Sequence, residues 1–324
     1  MISSMIMVMG SLITLSSKSW MVAWVGLEIN TLGFILILIK YSNYYDSPLK
    51  YFIVQTFTSN LLLMSILYFS NLNNMMLNLF PNPNTLMTAI ISMKLGMIPF
   101  HYWMLEILKK INWITYFIMI TWQKLAPMML LFSTTTLITV YFLSLLNSMG
   151  GAILGTIQKN IMKVILYSSI SHMGWMMSPM LMKSEFWLIY LAIYSLLTFV
   201  VIKNFVYTKF SNETFILANK FLLIIILMMS ILSLSGFPPF SGFISKWVVI
   251  SILAPSEMFL MLILVSSSTI SIYFYIKLFS PSLFIYIKTY KSPLLTSFHN
   301  LTSTKIYYFT FMSSMLGTMI IMLY

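Results

Sequence analysis

The chain has 324 residues, 60% of them hydrophobic and only 7% charged, where soluble domains carry about 25% charge. A spanning helix takes about 20 mainly apolar residues, so roughly ten to twelve fit, which excludes a soluble globular domain and predicts an all-α polytopic membrane bundle. The net charge of +12 comes from 18 basic residues, all lysines and no arginine. They are scattered between apolar stretches, which suits membrane orientation and argues against a nucleic-acid partner.

There are no cysteines, which removes disulfides, iron–sulfur ligation and thiolate metal sites. The three histidines, His101, His172 and His299, have no paired spacing suited to a metal or haem. No metal and no cofactor is therefore expected within this chain.

Eleven spans are predicted at about 1–16, 20–40, 49–70, 83–110, 113–133, 135–157, 160–180, 184–207, 219–253, 258–280 and 305–323, with ends uncertain by about 2–4 residues. The first has no basic n-region and reads as a retained span, not a signal peptide. The second holds Glu28, in WVGLEINTLGF, the one acidic residue well inside a span. A carboxylate alone in hydrocarbon is costly, and Lys94 is the expected partner that offsets its charge. The plain alternative is an ion pair that only sets helix register.

The fourth span reads IISMKLGMIPFHYW, with Lys94 among apolar residues and then Gly96, Pro99 and His101. A lysine at the centre of a membrane helix costs at least about 2.5–3.5 kcal/mol. Proline removes a backbone donor and clashes with the turn before it. A membrane helix carries such a break only where protein or water supplies other partners. His101 then either satisfies backbone groups freed by Pro99 or supports proton transfer. The fifth span holds Lys124 in TWQKLAP, near mid-depth, where its stem cannot easily reach water. A lysine held there is able to release and rebind a proton.

His172, in YSSISHMGW, falls near the centre of the seventh span and is a candidate proton relay, or else a hydrogen-bonded interface histidine. The ninth span contains SGFPPFSGF, with Gly236, Pro238 and Pro239, followed by Lys246. After the tenth span, Pro281 is expected to open a loop to Thr304 that is apolar but too broken to cross, read as an amphipathic surface segment. Asn212-Glu213-Thr214 and Asn300-Leu301-Thr302 match the glycosylation acceptor pattern and read as chance.

With this count, thirteen lysines fall in loops on the N-terminal side, two on the other, and three inside spans. Positive residues mark the side that is not translocated, so the N-terminus is expected on the cytoplasmic or matrix side and the C-terminus opposite. The fourth and ninth spans are five apart and run in opposite directions. Each is broken, and each carries a lysine on the same side of its break. Corresponding broken helices in two inverted halves point to a transport site; ordinary kinking is the plainer account, since Gly and Pro are common in membrane helices.

WVGLEINTLGF, MKLGMIPFHYW, TWQKLAP, YSSISHMGW and GFPPFSGFISKW together resemble the antiporter-like membrane subunits of respiratory NADH dehydrogenase, complex I. The resemblance covers the second span to the ninth. It implies a fourteen-helix family core with inverted five-helix repeats, here roughly 1–133 and 134–280 within one membrane domain 1–324. One animal branch lacks the first three helices, which matches eleven spans. By resemblance Glu28 is the acidic partner, Lys94 and Lys246 the lysines of the two broken helices, and Lys124 the lysine that bridges them. One departure is QKNIMKVILYSSI: the family usually shows two adjacent basic residues before this helix, and here Met162 precedes Lys163.

The resemblance implies a proton-translocating subunit of the mitochondrial inner membrane. Its partners would be neighbouring antiporter-like and other membrane subunits of the complex, and membrane lipids. NADH, FMN, iron–sulfur clusters and ubiquinone would be held by other subunits. The alternatives are a stand-alone cation/proton antiporter of related fold and a purely structural spacer, and co-purifying chains would discriminate among them.

Overall fold

The computed structural model describes residues 2–42, 46–72, 83–108, 111–134, 136–208 and 221–290. His299, the two glycosylation-pattern asparagines, residues 291–304 and the expected last span all lie outside the described residues. Among the described residues the structure is helical throughout: α1 (Ile2–Ser16), α2 (Trp20–Tyr41), α3 (Asp46–Leu72), α4 (Pro83–Leu95), α5 (Tyr102–Leu108), α6 (Trp113–Ile120), α7 (Trp122–Thr134), α8 (Leu137–Ile157), α9 (Ile161–Met177, extended by a 3-10 turn over Ser178–Met182), α10 (Phe186–Thr208), α11 (Phe221–Ser235), α12 (Ser241–Leu253) and α13 (Met258–Tyr290). Six stretches among them are long and apolar enough to cross a membrane, α6 with α7 counting as one. The helices fall on the first ten expected spans, with α4–α5 and α11–α12 as the broken fourth and ninth.

The apolar helices carry many hydroxyls, and most of the hydrogen-bonded serines and threonines donate within their own helix. Ser65, Ser168, Ser230 and Ser267 each donate to the carbonyl three residues back, at 2.7–2.9 Å. Such bonds let a hydroxyl sit in an apolar helix without an orphan donor.

The chain forms two compact units, Met1–Asn147 with Met180–Ser184, and Ser148–Pro179 with Glu185 onward. In the first, α2 packs on α1, α3 and α7, while α4 lies against α3 and α7. Helices α1 and α2 touch backbone to backbone: a Cβ on Gly10 would lie 2.4 Å from the Asn30 nitrogen. In the second unit, α10 packs on α9, α11 and α12, and α13 on α9, α11 and α12.

Two features differ from the expectations. The fifth span, read as continuous over 113–133, is interrupted at Thr121, whose φ of −118° and ψ of −72° lie off the helix between α6 and α7. Its hydroxyl donates to the Phe117 carbonyl at 2.7 Å. Downstream, Pro127 has no N–H for the Gln123 carbonyl, so this stretch is short of backbone bonds. The second concerns Pro281, expected to open a loop; α13 instead continues past it to Tyr290. Proline leaves the carbonyl four residues back without its usual donor. That carbonyl belongs to Lys277, and the Ser280 hydroxyl donates to it at 3.1 Å.

Candidate functional site

The two broken helices end in the same way. Gly96 has φ +64° and Gly236 φ +74°. The Gly96 amide donates to the Met93 carbonyl at 3.0 Å and the Met97 amide to Ser92 at 3.0 Å; Gly236 donates to Ser233 at 3.2 Å and Phe237 to Leu232 at 3.3 Å. Both are Schellman caps, which need a residue in the left-handed region and so favour glycine. Prolines then stop the helix from resuming: Pro99, after a cis Ile98–Pro99 bond, and Pro238 with Pro239. The chain re-enters helix at Tyr102 and at Ser241.

The freed backbone groups find side chains. The Ile98 amide donates to Asn147 Oδ1 at 2.8 Å, and Asn147 Nδ2 donates to the Leu143 carbonyl at 2.7 Å. Gln55 Nε2 donates to the Lys94 carbonyl at 3.3 Å. The His101 ring is buried, within hydrogen-bonding reach of the Pro99 backbone and 4.4 Å from the Tyr102 ring.

In the first unit, Lys94 stands in the last turn of α4 and is 5% exposed. Its ammonium is buried and has no hydrogen-bond partner among the described residues. Lys124, on α7, is 2% exposed. Both line one cavity of about 20 Å³ with Asn30, Tyr51, Gln55 and Gln123 among its polar walls. That is room for about one water, with several polar groups to hold it. Glu28 is half-buried on α2 and acts on Lys94 through its charge. No direct ion pair joins the two among the described residues, where the recorded pair is Lys50 with Glu106 at the exposed surface.

Around this cavity lie residues that sequence reasoning passed over. Asn30 Nδ2 donates to Gln123 Oε1 at 3.2 Å, and Gln123 Nε2 donates back to Asn30 Oδ1 at 3.3 Å. The Tyr51 hydroxyl donates to the same Gln123 oxygen at 3.4 Å. The pair joins α2, two residues past Glu28, to α7, one residue before Lys124. Their signal in the sequence was faint: primary amides in mid-span, which act as polar glue between membrane helices.

In the second unit, Lys246 is 4% exposed and sits on α12, beyond the break. It reaches back so that Nζ donates to the Ser235 carbonyl at 2.6 Å, at the C-terminus of α11. Its ammonium also lies 5.2 Å from the centre of the Trp175 ring. A helix C-terminus and an aromatic face both favour a cation. The two lysines of corresponding breaks are therefore held differently, Lys94 without an acceptor and Lys246 on a carbonyl. His172, on α9, bonds through Nδ1 to the Tyr190 hydroxyl at 2.8 Å and packs 5.1 Å from the Tyr194 ring. The fold thus gathers Glu28, Lys94 and Lys124 within one unit, and His172 and Lys246 within the other.

Among the described residues no group of three or more His, Asp or Glu side chains is placed to hold a metal ion.

A family model described as NADH:quinone oxidoreductase/Mrp antiporter, TM, matches residues 17–272. The NADH-ubiquinone oxidoreductase chain 2 of Anopheles gambiae is 37% identical over 281 residues, covering 84% of this chain and 82% of that one. The protein of the same name from Aedes aegypti is 36% identical over 329 residues, covering 98% and 95%. Among solved structures, respiratory complex I from Thermus thermophilus contains a chain of the same fold, at TM-score 0.71 and 19% identity over 86% of this chain and 69% of that one. A chain of the Mrp complex from Dietzia gives 0.73 and 14%, over 86% and 59%. On the length of the family match and on identities of this size across nearly whole chains, this chain belongs to the family of NADH:quinone oxidoreductase and Mrp antiporter transmembrane proteins.

Proposed function

We propose that this chain is a proton-translocating membrane subunit of mitochondrial respiratory NADH:ubiquinone oxidoreductase. It works beside other membrane subunits of that complex, in the inner membrane. Its part in the oxidoreductase reaction is to move protons; electron transfer from NADH to ubiquinone, with its flavin and iron–sulfur carriers, belongs to other subunits. Protons pass along Glu28, Lys94, Lys124 and Lys246, with His101 and His172 in support.

The observation that carries this reading is the Lys94 ammonium, buried beside a broken helix without a hydrogen-bond partner among the described residues, on a cavity it shares with Lys124. A purely structural spacer has no use for so costly a group. A charge with no acceptor of its own is governed by its neighbours: the Glu28 carboxylate acts on Lys94, and Lys124 lines the same cavity. A change in either alters how firmly Lys94 holds its proton.

The test is proton translocation by the assembled complex reconstituted into vesicles. Lys94→Met is expected to abolish or strongly reduce pumping while leaving assembly largely intact. Lys124→Arg is expected to impair it too, because arginine hardly releases its proton. Unchanged proton-to-electron ratios in both variants would remove the mechanism. Recovery of the native chain alone, without the other subunits, would instead favour a stand-alone antiporter.

A further inference from the structure

We infer that Tyr190 is a positioning residue of the proton path, the group that lets His172 change its protonation state without losing its hydrogen bond and that ties it to the turn of α12 carrying Lys246. The inference rests on the proton-translocating reading given above.

Tyr190 lies on α10 and is 2% exposed. Its hydroxyl is 2.8 Å from His172 Nδ1, with the rings 6.0 Å apart. The same hydroxyl lies near Ser245, the residue just before Lys246, whose own hydroxyl donates to the Gly242 carbonyl at 2.9 Å and so leaves its oxygen able to accept. On α9, Trp175 follows His172 by three residues, so the two share one side of the helix. Trp175 packs on the Lys246 ammonium while His172 meets Tyr190. Three helices are thus joined in a ring: α9 through His172 and Trp175, α10 through Tyr190, α12 through Ser245 and Lys246.

The chemistry of the phenol fits this place. A hydroxyl both donates and accepts. When the His172 imidazole is neutral with its proton on Nε2, the Tyr190 O–H donates to Nδ1. When the imidazole is protonated, Nδ1–H donates to the Tyr190 oxygen, and the phenol proton turns toward the Ser245 oxygen. His172 takes up one proton at Nδ1 from an ammonium of the lysine path, whose N–H breaks as the Nδ1–H forms, and gives it back in the reverse step, while Tyr190 is neutral in both states. A phenylalanine fills the same space and does neither.

The experiment is Tyr190→Phe in the assembled complex, with NADH-driven proton translocation measured against pH and with Lys246→Met as a parallel variant. Among the described residues, Tyr194 of α10 packs on His172, with Tyr275 of α13 beside Tyr194, and Lys246 of α12 sits on Trp175 one helical turn from His172; all stay in place in Tyr190→Phe. Assembly is expected to be unchanged. Pumping is expected to fall roughly tenfold at acidic pH, the loss of a hydrogen bond to a charged group, and much less at alkaline pH, where His172 is neutral in both proteins. Ser245→Ala, which removes the second contact of the phenol, is expected to act in the same direction and keeps the test open if Tyr190→Phe assembles poorly. An unchanged profile in Tyr190→Phe, or a uniform loss that tracks poor assembly while Ser245→Ala pumps normally, overturns the inference. Those outcomes leave the proposed function standing if Lys246→Met is impaired. Normal pumping by Lys246→Met overturns both.

Discussion

At the scale of single residues, what distinguishes this site is which polar groups are paired and which are not. Lys246 rests on a carbonyl and an indole, whereas the Lys94 ammonium has no such seat. The lysines, Glu28 and both prolines of the ninth span were legible in the sequence, because a charge or a proline in hydrocarbon is rare enough to stand out. Asn30, Gln123, Asn147 and Tyr190 were not, because amides and phenols in membrane helices are common and only their pairing makes them informative. The Asn30–Gln123 pair gives a direct test. In Gln123→Leu the Asn30 amide loses a reciprocal partner in a buried site, at a cost of about 1–3 kcal/mol. Replacing both residues by leucine removes donor and acceptor together and is expected to cost less than the two single changes added. The yield and melting temperature of assembled complex in the two single variants and the double variant measure that coupling. Strictly additive losses would show that the pair contributes no coupling between α2 and α7.

At the scale of elements, the two breaks are one local design used twice: a glycine-capped helix end, a proline stop and a re-entry two or three residues later. KLGMIP and LSGFPP announced the breaks, since glycine supplies the left-handed residue of the cap and proline forbids continuation. The break at Thr121 was hidden, because threonine is a tolerated helix residue and Pro127 lies six positions away. The extent of α13 was hidden for the opposite reason: Pro281 reads as a stop, and only the Ser280 hydroxyl on the Lys277 carbonyl shows how the helix survives it. The caps predict an asymmetry. Gly96→Ala and Gly236→Ala carry a similar backbone strain, about 1–2 kcal/mol for a side chain in the left-handed region. A Cβ at position 96 meets the flexible end of Met104, with Cε 2.2 Å away, which can move. At position 236 it meets Lys246 along its stem, at 2.8 Å from Cδ and 3.2 Å from Nζ, which pushes the ammonium off the Ser235 carbonyl. The two alanine variants are expected to assemble to similar levels, with Gly236→Ala the poorer pump. Equal pumping by both in reconstituted vesicles would show that the Lys246 seat on the Ser235 carbonyl is dispensable.

At the scale of the whole molecule, orientation is expected to follow charge outside the membrane, not within it. Helices α1 to α13 fall on the first ten of the expected eleven spans, with α4–α5, α6–α7 and α11–α12 each lying on one. The eleventh, about 305–323, lies outside the described residues and rests on its apolar sequence and on the lysines. With eleven crossings, thirteen loop lysines face the side of the N-terminus and two face the other. With the number of crossings before this last span miscounted by one, the later lysines would change sides and the bias would collapse. A bias that strong is what retention of positive loops produces. The N-terminus is therefore expected in the matrix and the C-terminus in the intermembrane space. Antibodies against the two terminal peptides, applied to mitoplasts with and without protease and detergent, separate the possibilities. Loss of the C-terminal epitope on protease treatment of intact mitoplasts, with the N-terminal epitope protected until detergent is added, is the expected result. Protection of both termini would mean an even number of crossings. It would place the C-terminus on the side of the N-terminus and remove the eleventh crossing, while the opposite directions expected of the fourth and ninth spans rest only on the crossings between them.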